Sequence, residues 1–210
     1  MSIVTMRANL TDSDIRSLIK GPSEDERAHA AHKICRCIEE AELSPEERAH
    51  ANGIIAIMAQ DAAVLVRRAL AIALKNSPKL PREIANKLSR DVDSIALPVI
   101  MNSPSLTDED LVQIVRACPP NKQVAVASRE SISTTVTGAI SAYAVSEAVE
   151  RALANDNALF DEEGLETAMT RFEGLSSITR LRCSLFRPRP ISVARCVPGR
   201  AIGLTTWVTL

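Results

Sequence analysis

The sequence predicts an all-α fold built from short, stacked helix pairs, and three observations carry this prediction. Only three Phe, one Tyr and one Trp occur in 210 residues, so the core has to be built from Ala, Leu, Ile and Val. No segment shows the sustained alternation of apolar and polar residues that indicates a β-strand. Helix starts and chain breaks recur at a similar spacing, which is typical of a repeat protein.

Residues 1–43 are predicted to form N-terminal helices that pack on the repeats. The first helix covers residues 10–20 and ends at Gly21-Pro22, because a helix cannot easily continue through this pair. Ser23 begins the second helix, in which Glu26 occupies the reciprocal capping position.

Residues 44–174 are predicted to form the repeat domain. Ser44 is the N-cap of its first helix, Pro45 is the first helical residue and Glu47 completes a capping box. Gly53 lowers the helix propensity in the interior of this helix, which predicts a close contact with another helix there. Further helices are expected to begin at Asp61, Pro81, Asp91 or Asp93, Thr107, Lys122, Ser131, Ser146 and Asp161.

A period of 26 residues separates two Asn-Ser-Pro breaks, at residues 76–78 and 102–104. Asn155 follows Asn102 after 53 residues, which is close to two such periods, and Ser128 lies near the midpoint between them. Each period holds one short helix pair, which is more compact than the HEAT repeat of about 40 residues. Because no single pair can bury its apolar face alone, we expect the pairs to stack as a HEAT-like α-solenoid.

Pro98 lies inside the helix that begins at Asp91 or Asp93. Proline removes a backbone hydrogen bond from a helix interior. We therefore expect a kink at residues 94–97.

A set of short motifs spread over more than half of the chain carries a family resemblance. The motifs are Pro45-Glu46-Glu47-Arg48, residues 66–71, residues 96–99, residues 103–111, residues 122–127 and residues 155–158. From about Glu46 to Phe172 the chain resembles an uncharacterised bacterial family, domain of unknown function 2336. The resemblance implies a HEAT-like helical repeat fold. It implies no reaction, because the family has no assigned chemistry.

The distribution of charge separates residues 175–210 from the rest of the chain. Residues 1–174 contain 19 Lys and Arg against 26 Asp and Glu, whereas residues 175–210 contain six Arg and no acidic residue. Helical periodicity is lost at about Leu175, where the chain departs from the family. This Arg/Pro-rich tail is interpreted as a disordered segment or as the product of a reading frame shifted after about Gly174, with a functional basic arm as the alternative. The coding DNA distinguishes these interpretations.

The cluster most similar to a metal site contains His29, His32, Cys35 and Cys37. Zinc prefers four ligands in a tetrahedral arrangement. One helix rarely supplies three suitable ligand directions, so we interpret these residues as ordinary packed or surface side chains.

Charged residues at helix ends offer a second class of candidate. They could form a recognition surface, but helix caps and salt bridges between repeats are the favoured interpretation. The pairs are Asp61 with Arg67, Asp91 with Arg90, and Arg129 with Glu130. Two acidic groups, Glu46-Glu47 and residues 108–110, lie at helix starts, where the helix dipole accounts for them without acid–base catalysis.

The hydroxyl cluster Ser131, Ser133, Thr134, Thr135 and Thr137 has no nucleophile elbow around it, and all three His precede it. No Gly-rich phosphate loop is present either. The sequence therefore assigns no catalytic, cofactor-binding or metal-binding residue, and no cofactor.

These observations favour a non-enzymatic scaffold or regulatory module that binds an unidentified protein partner. The alternative is a nucleic-acid-binding HEAT-like repeat protein, although an acidic body with few aromatic residues suits phosphate and base contacts poorly. An enzyme with a site between repeats is a third class.

A cytoplasmic location without a membrane span is expected. No run of about 18 apolar residues occurs. The N-terminus lacks the apolar core of a signal peptide. The five Cys follow no disulfide framework. The oligomeric state is left open.

Overall fold

The computed structural model describes Leu18, Gly21 and residues 23–173. These residues form ten α-helices and no strand beyond one isolated parallel bridge between Ile132 and Ala158. The predicted all-α fold class is confirmed. The predicted helix at residues 10–20 lies outside the described residues except for Leu18, which is helical and buried. The tail at residues 175–210 also lies outside them.

The helices are short, and most are eight to eleven residues long. Their bounds are α1 Glu24–Glu40, α2 Pro45–Met58, α3 Val64–Leu74, α4 Arg82–Ser89, α5 Asp93–Asn102, α6 Asp108–Ala117, α7 Pro120–Ala127, α8 Thr134–Tyr143, α9 Ser146–Leu153 and α10 Glu162–Arg171. In the described part of the chain, no helix combines the length and hydrophobicity needed to cross a membrane.

The main packing contacts join each helix to the helix two positions later. One row runs through α1, α3, α5, α7 and α9, and a second runs through α6, α8 and α10. Contacts between consecutive helices, such as α4 with α5 and α8 with α9, connect the two rows. This order of contacts is what stacked helix pairs require. The finer assignment to a HEAT-like solenoid stays a prediction.

The loops that follow α3, α5 and α7 carry one buried aliphatic residue at the same point of each repeat. These residues are Leu80, Leu106 and Ile132, which lie 26 residues apart and are all buried. Ala158 continues the series after α9 and packs against the same core. The 26-residue period predicted from the Asn-Ser-Pro breaks therefore also includes the loop that begins at Ser128.

The core is aliphatic, as the composition predicts. No aromatic residue is among the largest fully buried side chains of the described residues, which are Ile34, Ile38, Ile55, Met58, Leu70, Leu74, Leu80, Leu88, Ile95, Ile100, Ile114 and Ile140. Short helices with Ala, Val, Ile and Leu on their facing sides can approach one another closely, which suits a narrow stack.

Local capping signals are confirmed at three helix starts. Ser44 with Glu47, and Thr107 with Asp110, form complete capping boxes. Ser23 accepts a hydrogen bond from the backbone N–H of Glu26, at 3.1 Å. These side chains satisfy backbone donors that have no partner within the helix.

The prediction that Asp61 begins a helix is wrong, whereas the next helix begins at Asp93, one of the two starts predicted for it, so that Asp91, like Asp61, lies before its helix. The N-caps are Ala63 for α3 and Val92 for α5, and neither makes a side-chain capping bond. The two carboxylates instead order the preceding turns, where Asp61 accepts from the Ala63 N–H at 2.8 Å and Asp91 from the Val92 N–H at 2.7 Å. The physical reason is that arginine side chains from neighbouring helices hold both carboxylates outside the helix.

Pro98 lies inside α5, as predicted, and Asn102 donates to its carbonyl at 2.8 Å. The close contact predicted at Gly53 is wrong. Gly53 is exposed, and a Cβ built on it meets no atom within 4 Å. The glycine faces solvent, so the structure gives no packing reason for it.

We expect Gly53→Ala to raise the free energy of unfolding by about 0.5–1 kcal/mol, because alanine loses less backbone entropy in a helix. Urea denaturation measures this change. Gly164→Ala is the matched control, because its Cβ would lie 2.7 Å from the Asp161 carboxylate that caps α10. A Gly53→Ala protein that is no more stable than the parent would contradict the assignment of Gly53 to open helix surface.

Candidate functional site

Ion pairs between consecutive repeats fix the positions of the helices. Arg67 on α3 donates two hydrogen bonds to Asp91, from Nε at 2.6 Å and from Nη2 at 3.0 Å. Its Nη1 reaches the carbonyl of Asp61 at 2.7 Å. The Arg67 guanidinium holds the pKa of the Asp91 carboxyl below its usual value of 3.8.

The interpretation of Asp61 and Asp91 as partners in salt bridges is therefore confirmed. Arg67 contacts Asp61, as grouped in the sequence, but through the Asp61 carbonyl, whereas Asp91 is not joined to Arg90. Asp61 pairs with Arg27 of α1 at 3.5 Å, and Asp91 pairs with Arg67. Arg90 donates to Gln113 instead, at 3.2 Å. In both pairs the arginine lies on an earlier helix of the chain than the loop that carries the carboxylate. Short-range sequence patterns do not reveal partners at such distances.

Asp110 connects α4 to α6. Arg82 donates to both of its carboxylate oxygens, at 2.8 and 3.0 Å, and Thr107 donates from its hydroxyl at 2.9 Å. The Asp110 side chain is only 7 % exposed. Hydrogen bonds from Arg82 are the main reason that its pKa lies far below the usual 3.8. The acidic residues 108–110 thus serve helix capping and repeat pairing.

Basic side chains also cap helix C-termini across the stack. Each binds the carbonyl groups at the C-terminal end of a helix two positions earlier, where the helix dipole favours positive charge. Lys79 reaches the end of α1, Arg129 the end of α5 and Arg171 the end of α8. The contacts are Lys79 Nζ to Ile38, Glu39 and Ala41, Arg129 to Ile100 and Ser103, and Arg171 to Ser141 and Ala144.

Three adjoining clefts run along the loops at one edge of the stack. Their volumes are about 580, 510 and 410 Å³. We call them together the loop groove, which is lined by Asn76 and by residues from 101–111, 127–133 and 151–159. Arg129 lines all three clefts, so it lies at the centre of the groove.

Arg129 is an exception within the 26-residue period. The equivalent positions carry Ser77, Ser103 and Asn155, whose side chains accept a hydrogen bond from the backbone N–H two residues later. Arg129 makes no such turn and crosses to α5 instead. Burial lowers the pKa of its guanidinium, while the charge of Asp108 opposes this shift. The carbonyl groups that it contacts carry only partial charge and do not neutralise it.

The charge of the loop groove is mixed. Arg129 and Arg151 are accompanied by Asp108, Glu130 and Asp156. A polyanion such as nucleic acid needs an excess of positive charge. The other lining groups are amides, hydroxyls, the exposed apolar side chains of residues 101 and 159, and further apolar residues that include the buried Leu106, Leu111 and Ile132. Such a surface can hydrogen-bond a peptide backbone and contact a few apolar side chains.

The metal-like residues of α1 are not brought together. His29 and His32 are exposed, whereas Cys35 is buried and Cys37 is half-buried. Burial raises the pKa of the Cys35 thiol to about 12, which opposes the thiolate that zinc needs. Within residues 23–173, no group of three or more His, Cys, Asp or Glu is arranged to hold a metal ion.

The hydroxyl cluster has structural roles. Ser133 caps α8 by accepting from the Val136 N–H, and Thr137 donates to the carbonyl of Leu159 at 2.6 Å. Ser131 and Ser133 also line the loop groove. The three His lie on α1 and α2, far along the chain from these hydroxyls.

Residues 95–183 match the model of a family described as uncharacterised protein conserved in bacteria (DUF2336). The resemblance inferred from the motifs is confirmed over this range. The motifs at residues 45–48 and 66–71 lie outside the match, which ends at residue 183. Nearly all of the loop groove lies within it. No curated protein and no solved structure matches the chain.

We expect Arg67→Gln to lower the free energy of unfolding by about 1–3 kcal/mol, because Asp91 loses a charged partner in a mostly buried position. The neighbouring exposed residue gives a matched control, since Arg68→Gln should change stability by less than about 0.5 kcal/mol. Chemical denaturation of both variants measures the difference. Equal effects would show that the pair between repeats contributes no stability.

The lowered pKa values of Asp91 and Asp110 predict acid sensitivity. Both carboxyls bind protons more weakly when folded than when unfolded, so their stabilisation is complete above about pH 4 and is lost as the pH falls through the folded pKa values. The free energy of unfolding, measured against pH, should therefore decline below about pH 4.

Asp110→Asn should be less stable at pH 7 and should show a weaker decline in acid. Glu83→Gln, on the exposed side of α4, serves as the control. An unchanged acid decline in Asp110→Asn would contradict the role assigned to Asp110.

Proposed function

We propose that this protein is a non-enzymatic interaction module and that its loop groove binds an extended segment of a partner protein. The observation that carries the proposal is the continuity of the groove along the loops of successive repeats. Repeat stacks characteristically use such extended surfaces for binding. A scaffold or regulatory role follows from this mode of recognition.

Hydrogen bonds between loops support a preorganised groove. Ser105 donates its hydroxyl to the Leu80 carbonyl at 2.7 Å, and Asn155 donates its amide to the Arg129 carbonyl at 2.7 Å. The bond from the Leu159 N–H to the Ile132 carbonyl, at 2.9 Å, connects the last two loops. A surface held in this way loses little conformational entropy when it binds, which favours affinity.

The chemistry of the lining favours a peptide over other ligands. The groove combines amide groups of Asn76, Asn102 and Asn157 with the hydroxyl of Ser131. Such groups can donate to and accept from a peptide backbone. Arg129 adds a positive charge that suits a carboxylate or a backbone carbonyl of the partner. No aromatic platform for stacked bases lines the groove.

Selection from a library of random peptides tests the proposal directly. The full chain should enrich peptides that compete with one another. Ser131→Trp places a bulky side chain in the groove and should weaken their binding by at least about tenfold, measured by fluorescence anisotropy.

Thr135→Trp is the matched control, because Thr135 is also exposed, on α8, but does not line the groove. The control should bind the selected peptides like the parent. Failure to enrich any peptide, or equal binding by both variants, would overturn the assignment of the groove as the binding surface.

The alternative function is binding of nucleic acid. Titration of the same proteins with double-stranded DNA and with single-stranded RNA at two salt concentrations tests it. The mixed charge of the groove predicts no salt-dependent complex. Formation of such a complex, and its loss in Ser131→Trp, would replace the peptide proposal with the alternative.

A further inference from the structure

We infer that Leu159 determines the specificity of the loop groove, by forming a pocket that takes an uncharged aliphatic side chain of the bound partner segment. This Leu159 pocket is the cleft of about 510 Å³ within the groove, lined on its apolar side by Leu106, Leu111, Ile132 and Leu159. The inference rests on the proposed function, because it names the kind of partner residue that the groove recognises.

Leu159 is an exposed apolar residue whose backbone is nevertheless fixed. It is 62 % exposed, whereas Ala158 and Phe160 on either side of it pack against the core. Its N–H donates to the Ile132 carbonyl at 2.9 Å, and its own carbonyl accepts from the Thr137 hydroxyl at 2.6 Å. A side chain presented from a backbone held in this way loses little conformational entropy when a partner binds.

The loop before α10 departs from the 26-residue period at Leu159. In the three earlier repeats the equivalent residue occupies the N-cap position of α4, α6 or α8, and these residues are Pro81, Thr107 and Ser133. The N-cap of α10 is Asp161, two positions after Leu159. The loop therefore contains two additional residues, and capping of α10 does not account for an exposed leucine at this position.

Three residues of the core complete the apolar side of the Leu159 pocket. Leu106 and Ile132 come from equivalent points of successive loops, and Leu111 lies on α6. All three are buried. An aliphatic side chain that enters beside Leu159 removes apolar surface from water, which is the main source of favourable free energy in such contacts. Apolar walls with a few polar groups are typical of binding pockets.

The charged residues of the Leu159 pocket favour an uncharged occupant. Arg129, Asp108 and Asp156 all line it, so charges of both signs are present. A cationic or an anionic side chain would meet a like charge as well as an opposite one, and it would also lose hydration. An aliphatic side chain avoids both costs, while the hydroxyl of Ser131 can bond the backbone of the same segment.

The peptides selected by the full chain test the preference from the partner's side. Their sequences should share one position occupied by Leu, Ile, Val or Met. Replacing that residue with Ser, Asp or Lys should weaken binding by at least about tenfold, measured by fluorescence anisotropy. Selected peptides without a shared aliphatic position would overturn the inference.

Leu159→Ser tests the pocket from the protein's side. Serine removes the apolar contact but keeps both backbone hydrogen-bonding groups, so binding of the selected peptides should weaken by at least about tenfold. Ile57→Ser is the matched control, because Ile57 is also 62 % exposed but lies on α2, outside the loop groove. The control should bind like the parent, and both variants should unfold at nearly the parent's urea concentration.

Combining the two changes shows whether the peptide residue and Leu159 are in contact. A peptide whose aliphatic residue is replaced with Ser should lose little further affinity when Leu159→Ser is the protein, because the same contact is already removed. Fully additive losses, or equal binding by Leu159→Ser and the parent, would overturn the inference.

Failure of this inference is distinguishable from failure of the proposed function. Peptides that Ser131→Trp blocks but Leu159→Ser binds normally would overturn the pocket and leave the groove assignment intact. A selection that enriches no peptide would overturn both. Self-association of the parent that light scattering detects, and that Leu159→Ser abolishes, would assign the pocket to a second copy of this chain and overturn the peptide occupant.

Discussion

The structure depends on side chains that cross from one repeat to the next. A pair of helices with eight to eleven residues each cannot enclose its own apolar face, so stacking is a condition for folding. Aliphatic contacts drive the stacking but are not directional. Hydrogen-bonded pairs such as Arg67 with Asp91 and Arg82 with Asp110 supply the direction, because two donors and two acceptors meet in only one geometry.

Side chains that cross between repeats also explain how the loops are held at one edge of the stack. Basic side chains at the ends of α1, α5 and α8 satisfy carbonyl groups that each helix leaves without a partner. The loops are thereby held close to the helices of the preceding repeat and to one another. A groove along this edge is a consequence of the packing, and Arg129 is both a structural link and the most distinctive group that the groove presents.

Local signals were predictable from the sequence, whereas links between repeats were not. Ser44 and Thr107 each cap a helix by accepting a hydrogen bond from the backbone N–H three residues later. The sequence immediately around them is therefore enough to predict their roles. The partner of Asp91 lies 24 residues away, and nothing near Asp91 indicates it. Arg129 could have been singled out by aligning the internal repeats, because it interrupts a series of Ser and Asn. The loop groove itself depends on side-chain geometry that no spacing reveals.

The similar separation of many links has a consequence for how such a chain can change in length. Links such as those from Ser105 to Leu80 and from Asn155 to Arg129 join residues 25 and 26 positions apart, about one 26-residue unit. Gaining or losing one whole unit leaves every remaining partner at its proper distance. Gaining or losing half a unit would place helices of one row opposite those of the other and separate donors from acceptors. A chain of this architecture is therefore expected to change in length by whole units. Duplication of a whole unit lengthens the chain while the existing contacts between units are kept.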